Sequence, residues 1–172
     1  MGTLNLGGAA LSVVGGNWTD APPGTIIQVV HVKDGTFASG TGTIPIDNTI
    51  PQNTEGNEFM TLAITPTSAA NKLLITVDAI VLPGTGDWVN GALFQDSTVD
   101  AIASWATYQN INGGTANSNF SHYMTAGTTS TTTFKFRAGV NSAGTTYFNG
   151  NLAGALFNGT AASTMTIMEI AA

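Results

Sequence analysis

Cysteine is absent from this chain of 172 residues. That excludes a disulfide framework, a thiol nucleophile and a Cys-ligated metal. Charge is scarce as well: Asp, Glu, Lys and Arg make up 8% of the residues, against roughly 25% in ordinary soluble domains. Four bases stand against ten acids, for a net charge of −6. So few bases form no phosphate-neutralising patch, and nucleic-acid binding is not expected. No apolar run reaches the ~18 residues of a membrane helix. The opening MGTLNLGGAALSVVGG has no basic residue ahead of its apolar stretch, which a secretory signal requires. Synthesis in the cytoplasm without membrane insertion is the expectation. Helical periodicity is also weak. Only VDAIASWATYQNI (99–111) fits a 3.6-residue period, and it reads equally well as a strand.

What is present is apolar and hydroxyl-bearing. Hydrophobic residues make up 42%, enough for a sizeable core, and Thr, Ser, Asn and Gly take over the polar role. Short runs rich in Val, Ile, Thr and Phe recur between Gly, Pro and Asn, the mark of strands. They are TIIQVVHVK (25–33), FMTLAIT (59–65), KLLITVDAIVL (72–82), WVNGALFQD (88–96), FSHYMTA (120–126), TTTFKFRAG (131–139), TTYFNGNLAGALF (145–157) and STMTIMEI (163–170). About eight turn-punctuated strands predict an all-β, jelly-roll-like antiparallel β-sandwich over residues 25–172. Residues 1–24, Gly-rich and ending in Pro22-Pro23, predict an extended N-terminal arm.

Alternation assigns faces. In KLLITVDAIVL, Leu73, Ile75, Val77, Ala79 and Val81 share one face. In TTTFKFRAG, Thr132, Phe134, Phe136 and Ala138 face the core, while Thr133, Lys135 and Arg137 face outward. In TIIQVV the same rule puts Ile26 and Val30 on one face and Ile27 and Val29 on the other. A two-layer sandwich buries one face of each sheet, so a strand apolar on both faces predicts a partner subunit, here a homotrimer. Glu169 shares a face with Met165 and Ile167 and needs compensation if buried; Arg137 is the candidate partner for an inter-strand or inter-subunit ion pair. Asn149-Gly150 predicts a two-residue hairpin turn.

Residues fit for catalysis are few. His31 lies mid-strand between Val30 and Val32. His122 follows Ser121, but neighbouring strand residues point to opposite faces, and no GxSxG elbow presents a nucleophile. The acid pairs Asp96/Asp100 and Glu55/Glu58 have generic spacing. The acids Asp78, Asp87 and Asp96 lack EF-hand spacing. No enzyme, cofactor or metal is expected. Trp88 and Tyr108 lie near loops and are candidate glycan contacts, although aromatic residues more often fill a core or an interface.

The segments PPGTIIQVV, LAITPTSAANKLLITV, ALFQDSTVDAIAS, TAGTTSTTTFKFRAG, the YFNG turn and STMTIMEI together resemble small β-rich virion proteins of tailed bacteriophages. The likeness covers roughly residues 24–170 and is most specific in ITPTSAANKLLITV and MTIMEI. It is found in capsid decoration (cement) proteins and in tail-fibre head domains. It implies a jelly-roll module, usually trimeric, that works by binding; no catalytic residue belongs to the pattern. A decoration protein clamps the major capsid protein of neighbouring capsomers, and a tail-fibre tip binds a host-surface receptor. Met1 opens onto TLNLGGAAL with no shaft repeats, which suits decoration, although TLNLGGAAL also resembles the stretch ahead of a fibre head. On the decoration reading the arm docks on the capsid through Leu4, Leu6, Leu11, Val13 and Trp18.

Overall fold

The computed structural model describes residues 21–110 and 116–172; of residues 1–20 it describes only the backbone of three short strands, and at Ala116 only the backbone. Those three are β1 (Thr3–Leu6), β2 (Ala9–Val14) and β3 (Asn17–Trp18), which pair antiparallel in chain order as a small meander. The remaining strands are β4 (Ile26–Asp34), β5 (Ala38–Gly40), β6 (Asn57–Ile64), β7 (Lys72–Pro83), β8 (Asp87–Gln95) and β9 (Ala103–Gln109). They continue with β10 (Ala116–Thr125), β11 (Thr132–Val140), β12 (Thr146–Phe148), β13 (Gly150–Asn151), β14 (Gly154–Ala155) and β15 (Ser163–Ile170). Among the described residues the only helical turn is a 3-10 turn at Leu156–Gly159. Within the ambiguous 99–111 segment, Ala103–Gln109 forms a strand, β9, consistent with its aromatic content.

Two sheets face each other. Sheet I runs β4-β15-β7-β10, with β12 and β5 extending it beside the far end of β7; sheet II runs β6-β11-β8-β9. All these pairings are antiparallel. Numbering the eight long strands in chain order gives sheet orders 1-8-3-6 and 2-7-4-5, which is the strand order of a jelly roll. The expected fold is therefore observed.

Alternation explains the core. Leu73, Ile75, Val77, Ala79 and Val81 of β7 and Met165 and Ile167 of β15 are fully buried against Phe134, Phe136 and Ala138 of β11. Phe136 fits because β8 carries Gly91 diagonally across from it, opposite Ala138: a Cβ there would lie 2.9 Å from the Phe136 ring. Each of the buried Leu, Ile, Val, Phe and Met side chains contributes about 1.5–3 kcal/mol.

The structure corrects two local expectations. A register shift between Glu169 and Ile170 pairs Glu169 with Gln28 and Ile170 with Ile26. Strict alternation therefore fails in TIIQVV, and Ile26 joins Val29 on the outer face instead of joining Val30. Asn149-Gly150 is not the tip of a hairpin. Asn149 takes a left-handed conformation (φ 56°) directly after β12, and the tight turn comes later, between β13 and β14. Fully buried, Asn149 donates to the carbonyls of Asp34 (2.7 Å) and Thr36 (3.2 Å) and accepts from the Ser163 backbone N–H (3.0 Å) and hydroxyl.

Candidate functional site

On the outer face of sheet II, β8 presents Trp88, Asn90, Ala92 and Phe94, each two residues from the next. Their register partners on β9 are Tyr108 for Trp88, Ala106 for Asn90 and Ser104 for Ala92. The segment between β5 and β6 crosses this face. Its Ile44 is buried against Ala92 and Phe94, which gives β8 a second covered side. The segment is fastened along its length. Ile44 donates its backbone N–H to the Val140 carbonyl (3.0 Å), and its carbonyl accepts from Asn90 Nδ2 (2.6 Å). The Ile46 N–H bonds Asn141 Oδ1 at 2.7 Å, and Gln52 Nε2 bonds Asp100 at 2.8 Å. Arg137 holds the far end, donating to the carbonyls of Glu55 (2.7 Å) and Gly56 (2.8 Å) with Glu58 at 3.8 Å.

Between this segment and β8–β9 lies a pocket of about 230 Å³. Its walls include Pro45, Ile46, Asp47, Asn90, Ser104 and Ala106. Asn90 is 3% exposed, and its Oδ1 has no hydrogen-bond partner among the described residues. Asp47 stands on the wall with its carboxyl held below the usual range by hydrogen bonds from the Thr49 hydroxyl and backbone N–H. One step along the strands, Trp88 (39% exposed) and Tyr108 (55% exposed) meet edge to face with ring centroids 5.5 Å apart. The two aromatic residues singled out in the sequence are thus brought together beside a pocket. The pocket had no sequence signal, because its wall is an aperiodic loop.

The outer face of sheet I carries a different surface. Register aligns Val29, Met168, Leu74 and Tyr123 in one row across four strands. Ile26 and Ile170 adjoin it. Ile26, Val29 and Tyr123 are each more than half exposed. The next row is His31, Thr166, Thr76 and Ser121, and the one beyond it Lys33, Thr164, Asp78 and Asn119. An apolar strip is thus bordered on one side by polar rows, as an interface core is by its rim.

The structure does not bring Arg137 and Glu169 together within the chain. Arg137 lies outside sheet II on the loop described above, whereas Glu169 is buried on the inner side of sheet I. Glu169 Oε1 accepts from the Thr67 N–H (2.8 Å), the Thr67 hydroxyl (2.8 Å), Asn71 Nδ2 (2.7 Å) and the Ser68 N–H (3.3 Å). Its Oε2 accepts from Gln28 Nε2 at 2.6 Å. Burial pushes this carboxyl up, but the bonds from Gln28, Asn71 and Thr67 outweigh that and leave it below its ordinary value. Neutral donors supply the compensation that the sequence reading assigned to Arg137.

Asp96, Glu55 and His31 have structural partners. Asp96 accepts from the Thr132 hydroxyl and the Thr133 N–H, pinning β11, while Glu55 accepts from the Gln52 N–H. His31 bonds the Thr166 hydroxyl at 2.8 Å. His122 pairs with Ile75 and Ser121 with Thr76, on opposite faces. The side chains of Leu4, Leu6, Leu11, Val13 and Trp18 lie outside the described residues.

No protein-family model matches the chain, and no curated protein matches it. Among solved structures, it is similar to an infectious bursal disease virus VP2 subviral particle at 12% identity and a TM-score of 0.40, covering 84% of this chain and 32% of that one. It is similar to the infectious bursal disease virus Gt strain structure at 10% identity and a TM-score of 0.41, covering 95% of this chain and 42% of that one. It is also similar to dimeric latent PorU from Porphyromonas gingivalis, at 9% identity and a TM-score of 0.41, covering 94% of this chain and 14% of that one. The chain spans less than half the length of each. Two unrelated descriptions at the same depth of similarity point to no function, and the jelly-roll assignment rests on strand order.

Proposed function

We propose that this chain is a structural protein of a tailed-bacteriophage virion, a homotrimeric capsid decoration protein that binds the major capsid protein across neighbouring capsomers. The observation that carries the reading is the apolar strip Val29–Met168–Leu74–Tyr123 with Ile26 and Ile170, a continuous row across four strands on which Ile26, Val29 and Tyr123 are more than half exposed. A jelly roll leaves the outer faces of its sheets uncovered unless a loop or a partner covers them. Ile44 and its loop cover part of sheet II. Second and third copies of the chain are the occupants proposed for sheet I. The segments ITPTSAANKLLITV and MTIMEI, with their likeness to phage virion proteins, supply the location. A chain in which 8% of the residues are charged has few charges to desolvate when its surface is buried, and three simultaneous contacts multiply a weak one.

The arm is the proposed capsid contact. Deleting residues 2–20 is expected to abolish binding to capsids and leave the sedimentation coefficient at that of a trimer, corrected for mass. Unchanged capsid occupancy would reject arm docking, and a monomeric parent chain would reject the trimer. Binding of the soluble protein to host cells, in competition with phage, would favour the tail-fibre reading instead.

A further inference from the structure

We propose that the pocket beside Trp88 and Tyr108 binds one ring of a neutral saccharide. The aromatic pair would pack on the ring's apolar face, and the acceptors of the pocket would take its hydroxyl protons. This goes beyond the virion reading and does not rest on it.

Three observations select this ligand class. The first is the chemistry of the walls. Ile44, Pro45, Ile46 and Ala106 supply apolar surface, while Asp47, Thr49, Asn90 and Ser104 supply oxygen atoms. No Lys or Arg lines the pocket, and Asp47 carries a negative charge, so phosphate, sulfate and acidic sugars are disfavoured. A ligand rich in hydroxyl donors and free of net charge fits.

The second is Asn90. Its Nδ2 is committed to the Ile44 carbonyl, leaving Oδ1 buried and unpaired. An unsatisfied buried acceptor is destabilising, and a donor delivered to it recovers part of the loss. The atom is closed to water, so that bond requires a small shift of the surrounding wall.

The third is pre-organisation. The wall is pinned at Ile44 and Ile46, and again by the Ala101 N–H to the Pro51 carbonyl at 2.9 Å. Pro45 and Pro51 restrict the backbone further. A fixed site loses little ordering entropy on binding. Trp88 and Tyr108 stand exposed on the same face two residues along the strands from Asn90 and Ala106, with their relative orientation already set.

The test uses the full chain, titrated by calorimetry and by saturation-transfer NMR with methyl glycosides of glucose, galactose, mannose and N-acetylglucosamine, and with glucuronic acid. At least one neutral glycoside is expected to bind in about the millimolar range, with glucuronic acid about tenfold weaker or worse. Trp88→Ala and Ser104→Tyr, the latter filling the pocket from an exposed position, should each weaken binding about tenfold or more with an unchanged far-UV circular dichroism spectrum. Tyr108→Ala, at a position 55% exposed, is the second variant should either of these disturb folding. The proposal is overturned if no neutral glycoside binds up to about 50 mM, or if binding survives both the aromatic and the pocket substitutions. It also fails if Trp88→Ala changes the oligomeric state while no sugar binds, because the aromatic pair is then a contact between copies.

Discussion

Glu169 is a buried carboxylate in a chain with almost no bases to pair with it. Its compensation comes from neutral donors on Gln28, Thr67, Ser68 and Asn71. Glu169→Gln replaces a charge-assisted set of bonds with neutral ones and turns an amide N–H₂ toward donors. The expected loss at neutral pH is about 1–3 kcal/mol. The pH dependence follows from the direction of the shift. Because the folded carboxyl titrates below its unfolded counterpart, its stabilising contribution is complete above the ordinary carboxylate range and is lost as pH falls through the folded value. Urea midpoints of parent and variant should therefore differ most at pH 7 and draw together as pH falls below the ordinary carboxylate range; a gap independent of pH would contradict the account. At this scale the sequence was half legible. Alternation placed Glu169 on an inner face and flagged its need for a partner. The partners, 98 to 141 residues away, are uncharged and leave no pattern to find.

The elements most legible in the sequence are those whose two faces differ. β7 and β11 alternate over most of their length, and the residues alternation names are buried; Leu82 near the end of β7 and Gly139 on β11 are buried out of phase. WVNGALF does not alternate, because β8 is covered on both sides, by the core and by the loop that carries Ile44. TGTIPIDNTIPQNTEG has no period at all, so neither its path over sheet II nor the pocket beneath it was readable. Ile44 is the peg of that cover. Truncation by Ile44→Ala leaves a cavity against Ala92 and Phe94, and the expected destabilisation is about 2–5 kcal/mol, measured as a shift in urea midpoint. An effect below about 0.5 kcal/mol, the ordinary range of surface substitutions, would mean the loop is not part of the cooperative fold. Arg137, outward as alternation required, serves the same element by gripping the carbonyls of Glu55 and Gly56.

For the molecule as a whole, turn spacing and hydrophobic runs disclosed the layer class and the approximate strand count, whereas strand order came only with the structure. The jelly roll sets its first long strand, β4, beside its last, β15. Where the two meet, the Gly24 N–H reaches the Ala171 carbonyl and the Ala171 N–H the Thr25 carbonyl, each at 2.9 Å. Chain entry and chain exit therefore lie side by side at one corner. Tension applied across that corner opens the β4–β15 ladder rung by rung, as a zipper does, whereas tension between Gly24 and Ser163, whose strand-end partner is Asp34, loads the rungs together in shear. Single-molecule pulling with handles at 24 and 171 should give a lower rupture force than handles at 24 and 163; equal forces would mean another part of the fold yields first. On the proposed decoration reading, a clamp loaded along these strands would resist and one loaded across the corner would release, so the direction of load, as much as affinity, would decide how long it holds.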